Sequence, residues 1–75
     1  MIVDKVLVIG LGLIGGSFAC ALKKAGACRQ VLGNSRSAET VTKALERQVI
    51  DHGSSDLQVL LPELQSGDVI VVATP

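Results

Sequence analysis

An α/β fold, the first half of a doubly wound parallel sheet running β-α-β-α-β-α-β, is predicted by three observations. The aliphatic burst Val6-Leu7-Val8-Ile9 runs directly into Gly10-Leu11-Gly12-Leu13-Ile14-Gly15. That string opens a helix-compatible stretch that closes near Gly26. The composition agrees: 48% of the 75 residues are hydrophobic, yet there is one Phe and no Trp or Tyr, which suits aliphatic strands buried on both faces.

Val3 to Ile9 reads as the first strand, nearly continuous in Val, Leu and Ile. The spacing predicts a first helix over residues 13–25, in which Ile14, Phe18, Ala21, Leu22 and Ala25 form one apolar stripe. Lys23 and Lys24 fall in its last turn, where cations suit the helix dipole, and Gly26 is placed to cap it. Val31-Leu32-Gly33 reads as a short second strand. Ser37 is positioned to cap a second helix reaching about Gln48, with Val41, Ala44, Leu45 and Val49 inward and Lys43, Glu46 and Arg47 outward. Val49-Ile50-Asp51 suggests a brief third strand. Asp56 would cap a helical turn over residues 57–61 that breaks near Pro62, and Gly67-Asp68 introduces the last strand over residues 69–73. Right-handed crossovers then order the strands 3-2-1-4. The ends of strands one and four would flank the point where that order reverses, so Gly10 to Gly15 and Ala73-Thr74-Pro75 should line one crevice.

Each glycine of the first turn has a physical task if the crevice takes a dinucleotide. Gly10 lets the chain leave the strand in a tight turn, Gly12 lets backbone approach a pyrophosphate, and Gly15 lets helix pack closely on strand. The helix start they expose carries N–H groups without intrahelical partners and the positive end of the dipole, so it can hold a diphosphate through backbone alone. The G-x-x-x-x-G-K-[ST] phosphate loop is missing, which argues against an ATPase or GTPase of that type. The expected cofactor-binding residues are therefore Gly10, Leu11, Gly12, Leu13, Ile14 and Gly15, with Asn34, Ser35, Arg36 and Ser37 at the end of the second strand and Ala73, Thr74 and Pro75 at the end of the fourth.

About twenty residues beyond the third glycine, an NAD-binding chain of this kind carries an Asp or Glu for the ribose hydroxyls. Here that place reads Asn34-Ser35-Arg36. With no carboxylate to repel a 2′-phosphate, a planar arginine cation to attract it, and hydroxyls at Ser35 and Ser37, NADP is the expected cofactor ahead of NAD.

Seven basic residues balance seven acidic ones, so the charge carries no footprint for nucleic acid or an anionic membrane surface. Cys20 and Cys28 match no zinc or redox spacing and are expected as reduced thiols of a cytoplasmic protein; no metal site is expected. Residues 6–22 are uncharged, follow Lys5 and contain Ala19-Cys20-Ala21, a pattern that imitates a secretory leader. Gly10, Gly12, Gly15 and Gly16 would weaken a leader helix but suit a nucleotide fold. His52, the one histidine, is expected in a solvated loop away from the crevice and outside catalysis. The last strand lacks a covering helix and a 75-residue chain buries only roughly 60% of its unfolded surface, which points to a portion of a longer protein.

Ile9-Gly10-Leu11-Gly12-Leu13-Ile14-Gly15-Gly16-Ser17 extends past the general fingerprint and is similar to the N-terminal signature of prephenate and arogenate (cyclohexadienyl) dehydrogenases. Ala25-Gly26, Val49-Ile50-Asp51 and Asp68-Val69-Ile70-Val71-Val72-Ala73-Thr74-Pro75 resemble that family in order and spacing, so the likeness spans essentially all 75 residues. It implies a Rossmann-type nucleotide-binding portion of a tyrosine-biosynthesis enzyme that oxidatively decarboxylates prephenate, arogenate or both, passing hydride to a nicotinamide cofactor. It also implies that the catalytic histidine, the arginines for the substrate carboxylates and a helical domain forming a homodimer lie beyond Pro75, leaving no catalytic residue in residues 1–75. Many members carry Asp where this chain has Ser35, so the resemblance speaks to the chemistry more than to the cofactor. Two other classes share the Gly-Leu-Gly turn: a different small-molecule dehydrogenase or reductase, such as a β-hydroxyacid dehydrogenase or pyrroline carboxylate reductase, which more often show Met in place of Ile14, and a dinucleotide-sensing module without catalysis.

Overall fold

The structure, a computed structural model, describes residues 3–73, those at 13 and 14 by their backbone alone. Four parallel strands, β1 (Val3–Ile9), β2 (Cys28–Asn34), β3 (His52–Ser54) and β4 (Val69–Val72), form one sheet in the order β3-β2-β1-β4. The helices are α1 (Leu13–Ala25), α2 (Ala38–Glu46) and α3 (Leu57–Leu60), the last continued by a 3-10 turn over Leu61–Glu63 that contains Pro62. Element order, parallel pairing and the 3-2-1-4 strand order are as expected.

Because strand side chains alternate between faces, the sheet has two cores. Val6, Val8 and Val31 are buried with Leu11, Ala19, Val41 and Ile50 on the face covered by α1 and α2. Leu7 and Leu32 are buried with Leu60 on the opposite face, under α3. Helices on both faces of a parallel sheet are the doubly wound arrangement, and it leaves the strand ends open where the β-to-α loops gather.

Four expectations need correction. The third strand is His52–Ser54 rather than Val49-Ile50-Asp51. The chain leaves α2 through Gln48 at φ 60, Val49 N–H donates back to the Ala44 carbonyl at 2.9 Å, and Ile50 turns into the core at 2% exposure, so the apolar pair closes a connection before pairing begins. The second strand is longer than Val31-Leu32-Gly33, since Cys28 and Gln30 already pair with Val3 and Lys5 of β1. Among the described side chains of α1 the buried residues are Gly15 and Ala19, with Leu22 packed beside them, whereas Phe18 is 40% exposed and Ala21 and Ala25 face solvent. A Cβ on Gly15 would collide with the Gly10 carbonyl, so the helix rides too close to β1 for anything but small residues at 15 and 19. The expected place of Ile14 in the stripe lies outside the described side chains. Finally, Leu45 of α2 is 39% exposed rather than inward, although Val41, Ala44 and Val49 pack as expected and Lys43, Glu46 and Arg47 are exposed.

The lower edge of the sheet, where strands begin, is fastened by two aspartates. Asp51, immediately before β3, accepts the Val31 N–H at 2.8 Å and the Lys23 ammonium at 2.7 Å, tying β2 and the end of α1 together. Asp68, immediately before β4, accepts the Lys5 N–H at 3.2 Å and the Gln65 N–H at 2.8 Å. Burial pushes the Asp51 carboxyl up, but the Lys23 ammonium, the Val31 N–H and the neighbouring His52 outweigh it and hold the group below its ordinary value. Burial, reinforced by the Asp51 charge and partly offset by Lys23, pushes the nearby Cys28 thiol up. That keeps it protonated and unreactive at neutral pH.

Candidate functional site

At the upper edge, where β1 and β2 end, a cleft of about 610 Å³ is lined by Ile9, Gly10, Leu11, Gly12, Asn34, Ser35 and Arg36. Gly10 makes the exit from β1 at φ 96, a conformation that side chains other than hydrogen rarely adopt. The Gly10 and Leu11 N–H groups both donate to the Asn34 carbonyl, at 2.9 and 3.1 Å, which binds the turn to the end of β2. These two amides are thereby occupied.

The next amides are not. Gly12 is the N-cap of α1 and has no side chain to satisfy the first turn, in which there is also no acidic residue. Gly16 N–H reaches the Gly12 carbonyl at 2.8 Å, so the intrahelical ladder begins there and the earlier N–H groups are left for water or an anion. A Cβ placed on Gly12 would meet nothing within 4 Å, so that face is open to an approaching group. With no carboxylate nearby, the dipole and the free donors make the start of α1 an anion seat.

Across the cleft, three side chains of the expected set have defined duties. Asn34 Nδ2 donates to the Ser54 carbonyl at 3.0 Å, bridging β2 to the end of β3 and leaving Oδ1 as the free end of the amide. Ser35 Oγ accepts the Ser37 N–H at 3.2 Å, and Ser37 Oγ accepts the Thr40 N–H at 3.3 Å as the cap of α2. Arg36 is exposed and forms no salt bridge among the described residues. An unpaired guanidinium beside two hydroxyls can receive a phosphate monoester in bidentate fashion.

The structure therefore brings Gly10, Leu11, Gly12, Asn34, Ser35 and Arg36 to one cleft and sets Ser37 and Gly15 at its margins. Ala73 lies against the same turn: its N–H donates to the Ile9 carbonyl at 2.8 Å, and a Cβ on Gly15 would sit 3.4 Å from its own. The expected roles of Thr74 and Pro75, and of the Leu13 and Ile14 side chains, lie outside the described residues. Leu11 contributes backbone only, for its side chain is buried in the core at 4% exposure. Ile9, which directly precedes the first glycine, is a further lining residue outside the expected set. His52 is exposed at the start of β3 and does not line the cleft. No cluster of three metal-ligating side chains occurs among the described residues, and none of their helices is long and apolar enough to cross a membrane.

Comparison with known proteins bears on the whole of this unit. Residues 5–75 match the family described as NADP oxidoreductase coenzyme F420-dependent. Prephenate dehydrogenase from Lactococcus lactis subsp. cremoris is 41% identical over 71 residues, 95% of this chain, and that from Bacillus subtilis is 35% identical over 72 residues, 96% of it. The chain spans 19% of the length of each of these relatives. Prephenate dehydrogenase from A. aeolicus, crystallised with hydroxyphenyl propionate and NAD+, superposes on 100% of this chain with a TM-score of 0.87 at 28% identity, 26% of that structure being covered.

Proposed function

This chain belongs to the NADP oxidoreductase coenzyme F420-dependent family, and on that premise we propose that it is the dinucleotide-binding part of a prephenate or arogenate dehydrogenase. The observation that carries this reading is the match to prephenate dehydrogenases along the full glycine turn and cleft, over 95% of the chain for the first relative. The proposed reaction is oxidative decarboxylation of the cyclohexadienyl substrate, with hydride passing to a nicotinamide. Bound in the cleft, the cofactor supplies the hydride acceptor; the residues of this chain hold and orient it. The pyrophosphate would lie on the N–H groups at the start of α1, between Gly12 and Gly15, with Gly10 and Leu11 shaping the turn, Leu13 and Ile14 contributing backbone and Ala73, Thr74 and Pro75 forming the far wall. The adenosine ribose would lie against Asn34, Ser35, Arg36 and Ser37.

Within that reading NADP is the proposed coenzyme. The cleft has no carboxylate among Asn34, Ser35 and Arg36, and Arg36 is unpaired among the described residues, an arrangement that favours a 2′-phosphate over a free hydroxyl. The A. aeolicus structure was solved with NAD+, which makes the ribose end the place where this chain is proposed to differ. Substrate groups, the catalytic histidine and a homodimer interface are assigned to the part of such an enzyme beyond residue 75, and a cytoplasmic location is proposed with them.

The test is turnover by the protein in its natural length, with prephenate or arogenate as substrate and NADP or NAD as acceptor, reading the reduced nicotinamide; coenzyme F420 is a third acceptor because the family description names it. Reduction of NADP at a clearly higher kcat/KM than NAD, an advantage that Arg36→Ala removes, is the expected result. No turnover with either substrate and any acceptor overturns the assignment, and an NAD advantage untouched by Arg36→Ala overturns the NADP preference.

A further inference from the structure

Gly33 lies in β2, one residue below the cleft, and its hydrogen side chain faces the core on the α1 and α2 side. A Cβ built there would come within 2.6 Å of Leu11 Cδ1 and 2.9 Å of both Ile50 Cδ1 and Cγ2. Its neighbour in the ladder is another glycine, Gly53 of β3, whose Cβ would meet Ile50 Cδ1 and Val41 Cγ1 at 2.7 Å. Side by side, the two glycines make a trough in the sheet surface. Ile50 fills it from the connection before β3, and Leu11 enters it from the glycine turn above.

Leu11 is joined through one peptide bond to Gly12, where the free amides begin. Its backbone N–H is pinned to the Asn34 carbonyl at 3.1 Å, and its side chain is seated over Gly33 at 4% exposure. The height of that seat sets where Gly12 and the first turn of α1 lie relative to the end of β2, and hence the distance between the two halves of the cleft. We infer that Gly33 is a positioning residue for dinucleotide binding: by lacking a side chain it lets Leu11 sink into the sheet and hold the phosphate-facing amides at the depth the coenzyme requires. The inference rests on the dinucleotide reading above. Gly33 itself touches no ligand and acts only through Leu11.

The experiment measures NADPH and NADH affinity and ligand-free Tm for the natural-length protein and four variants. Gly33→Ala should weaken binding of the preferred coenzyme by about tenfold, since displacements of about 1 Å in positioning groups have effects of that order or larger. Adding Leu11→Ala to Gly33→Ala makes room beneath the turn for the new methyl and should recover affinity to at least the level of Leu11→Ala alone, whereas adding Ile50→Val removes Cδ1, one of the two Ile50 atoms at 2.9 Å, and should raise Tm without recovering affinity. A merely structural glycine would behave in the opposite way, with affinity following Tm in both double variants. Should Gly33→Ala fail to fold, Leu11→Ala alone decides: it removes the anchor without a clash and should weaken binding by about fivefold. Binding within twofold of the parent in Gly33→Ala or, where that variant does not fold, in Leu11→Ala overturns the inference, as does equal rescue by Ile50→Val. Failure of the unaltered protein to bind either coenzyme overturns the dinucleotide reading instead, so the two failures are distinct.

Discussion

The two edges of this sheet are built from the same materials and finished in opposite ways. At the lower edge the aspartates that precede β3 and β4 each reach a neighbouring strand and a second donor, so that Asp51 and Asp68 leave no carboxylate oxygen idle. The upper edge holds a helix start with no cap and an arginine with no ion-pair partner among the described residues. Within that upper edge the contrast repeats at shorter range. α2 begins under the Ser37 hydroxyl and α3 under the Asp56 carboxylate, which accepts the Gln58 N–H at 2.9 Å, whereas α1 begins on bare Gly12. A protein that can cap a helix with Ser or Asp, and twice does, leaves one uncapped at the proposed phosphate seat. Polar groups that the chain satisfies by itself stabilise the fold, and those it leaves unsatisfied at a solvent-filled cleft are free for a ligand.

The sharpest way to break that contrast is to give α1 the cap it lacks. Gly12 sits at φ -78 and ψ -159, an extended conformation open to any residue, and its missing Cβ would meet nothing within 4 Å. Gly12→Asp therefore fits without strain and brings a good N-cap acceptor, so the free protein should be as stable as the parent or better by a few tenths of a kcal/mol. The same carboxylate occupies the anion seat. Dinucleotide affinity should fall by at least about thirtyfold, roughly 2 kcal/mol, because like charges juxtaposed in a binding site cost several kcal/mol. Calorimetric titration together with urea unfolding measures both halves. Retained affinity would mean that the start of α1 is not the phosphate seat.

The converse change empties the lower edge. Asp51→Ala removes the acceptor for the half-buried Val31 N–H and the partner of Lys23, and should cost about 1.5 kcal/mol of unfolding free energy, as is typical for hydrogen bonds to charged groups. Dinucleotide affinity should stay within about twofold, because neither Asp51 nor Val31 lines the cleft. A smaller loss, about 1 kcal/mol, is expected for Ser37→Ala, which strips the cap from α2. Of the two, Ser37→Ala alone acts at the cleft, so a change in the NADP-to-NAD affinity ratio is expected there and not with Asp51→Ala.

How far these features could be read in the sequence follows the same division. The upper edge is local: Gly10, Gly12 and Gly15 are specified by one strand-turn-helix passage, and Asn34, Ser35 and Arg36 by where the second strand must end, so adjacency along the chain is enough to find them. The bounds of α1 and its Gly26 terminus are legible for the same reason. The lower edge depends on pairs far apart in sequence, Asp51 with Val31 and Asp68 with Lys5, and a charged residue beside an apolar run looks like an ordinary solvated one until the fold brings the two together. The inward face of α1 escapes the sequence pattern for a different reason. Apolar periodicity weighs bulk, and selects Phe18 and Leu22, but a helix that approaches its sheet within the reach of a glycine needs Gly15 and Ala19 on the buried side. The trough made by Gly33 and Gly53 is invisible in the same way, being defined by what Leu11 and Ile50 place there.

The smallest expected effect concerns acid. Burial alone would raise the Asp51 carboxyl, yet the Lys23 ammonium, the Val31 N–H and the His52 charge lower it below its ordinary value of 3.8 in the folded chain. A carboxyl whose folded value lies below its unfolded one contributes stability that is fully present above the unfolded value and disappears as pH falls through the folded one. For Asp51 that window lies below about pH 4, and at neutral pH the contribution is complete. Asp51→Asn keeps an oxygen for the Val31 N–H but cannot titrate, so its unfolding free energy should decline less steeply with acidification than that of the parent. The gap between the two curves should narrow as pH drops below 4, and should be wide already at pH 5. Urea unfolding across that range reads it directly. Parallel curves would show that the Lys23 and Val31 contacts do not bind the charged carboxylate more tightly in the folded state, and the lower edge would then be fastened by hydrogen bonding without the help of charge.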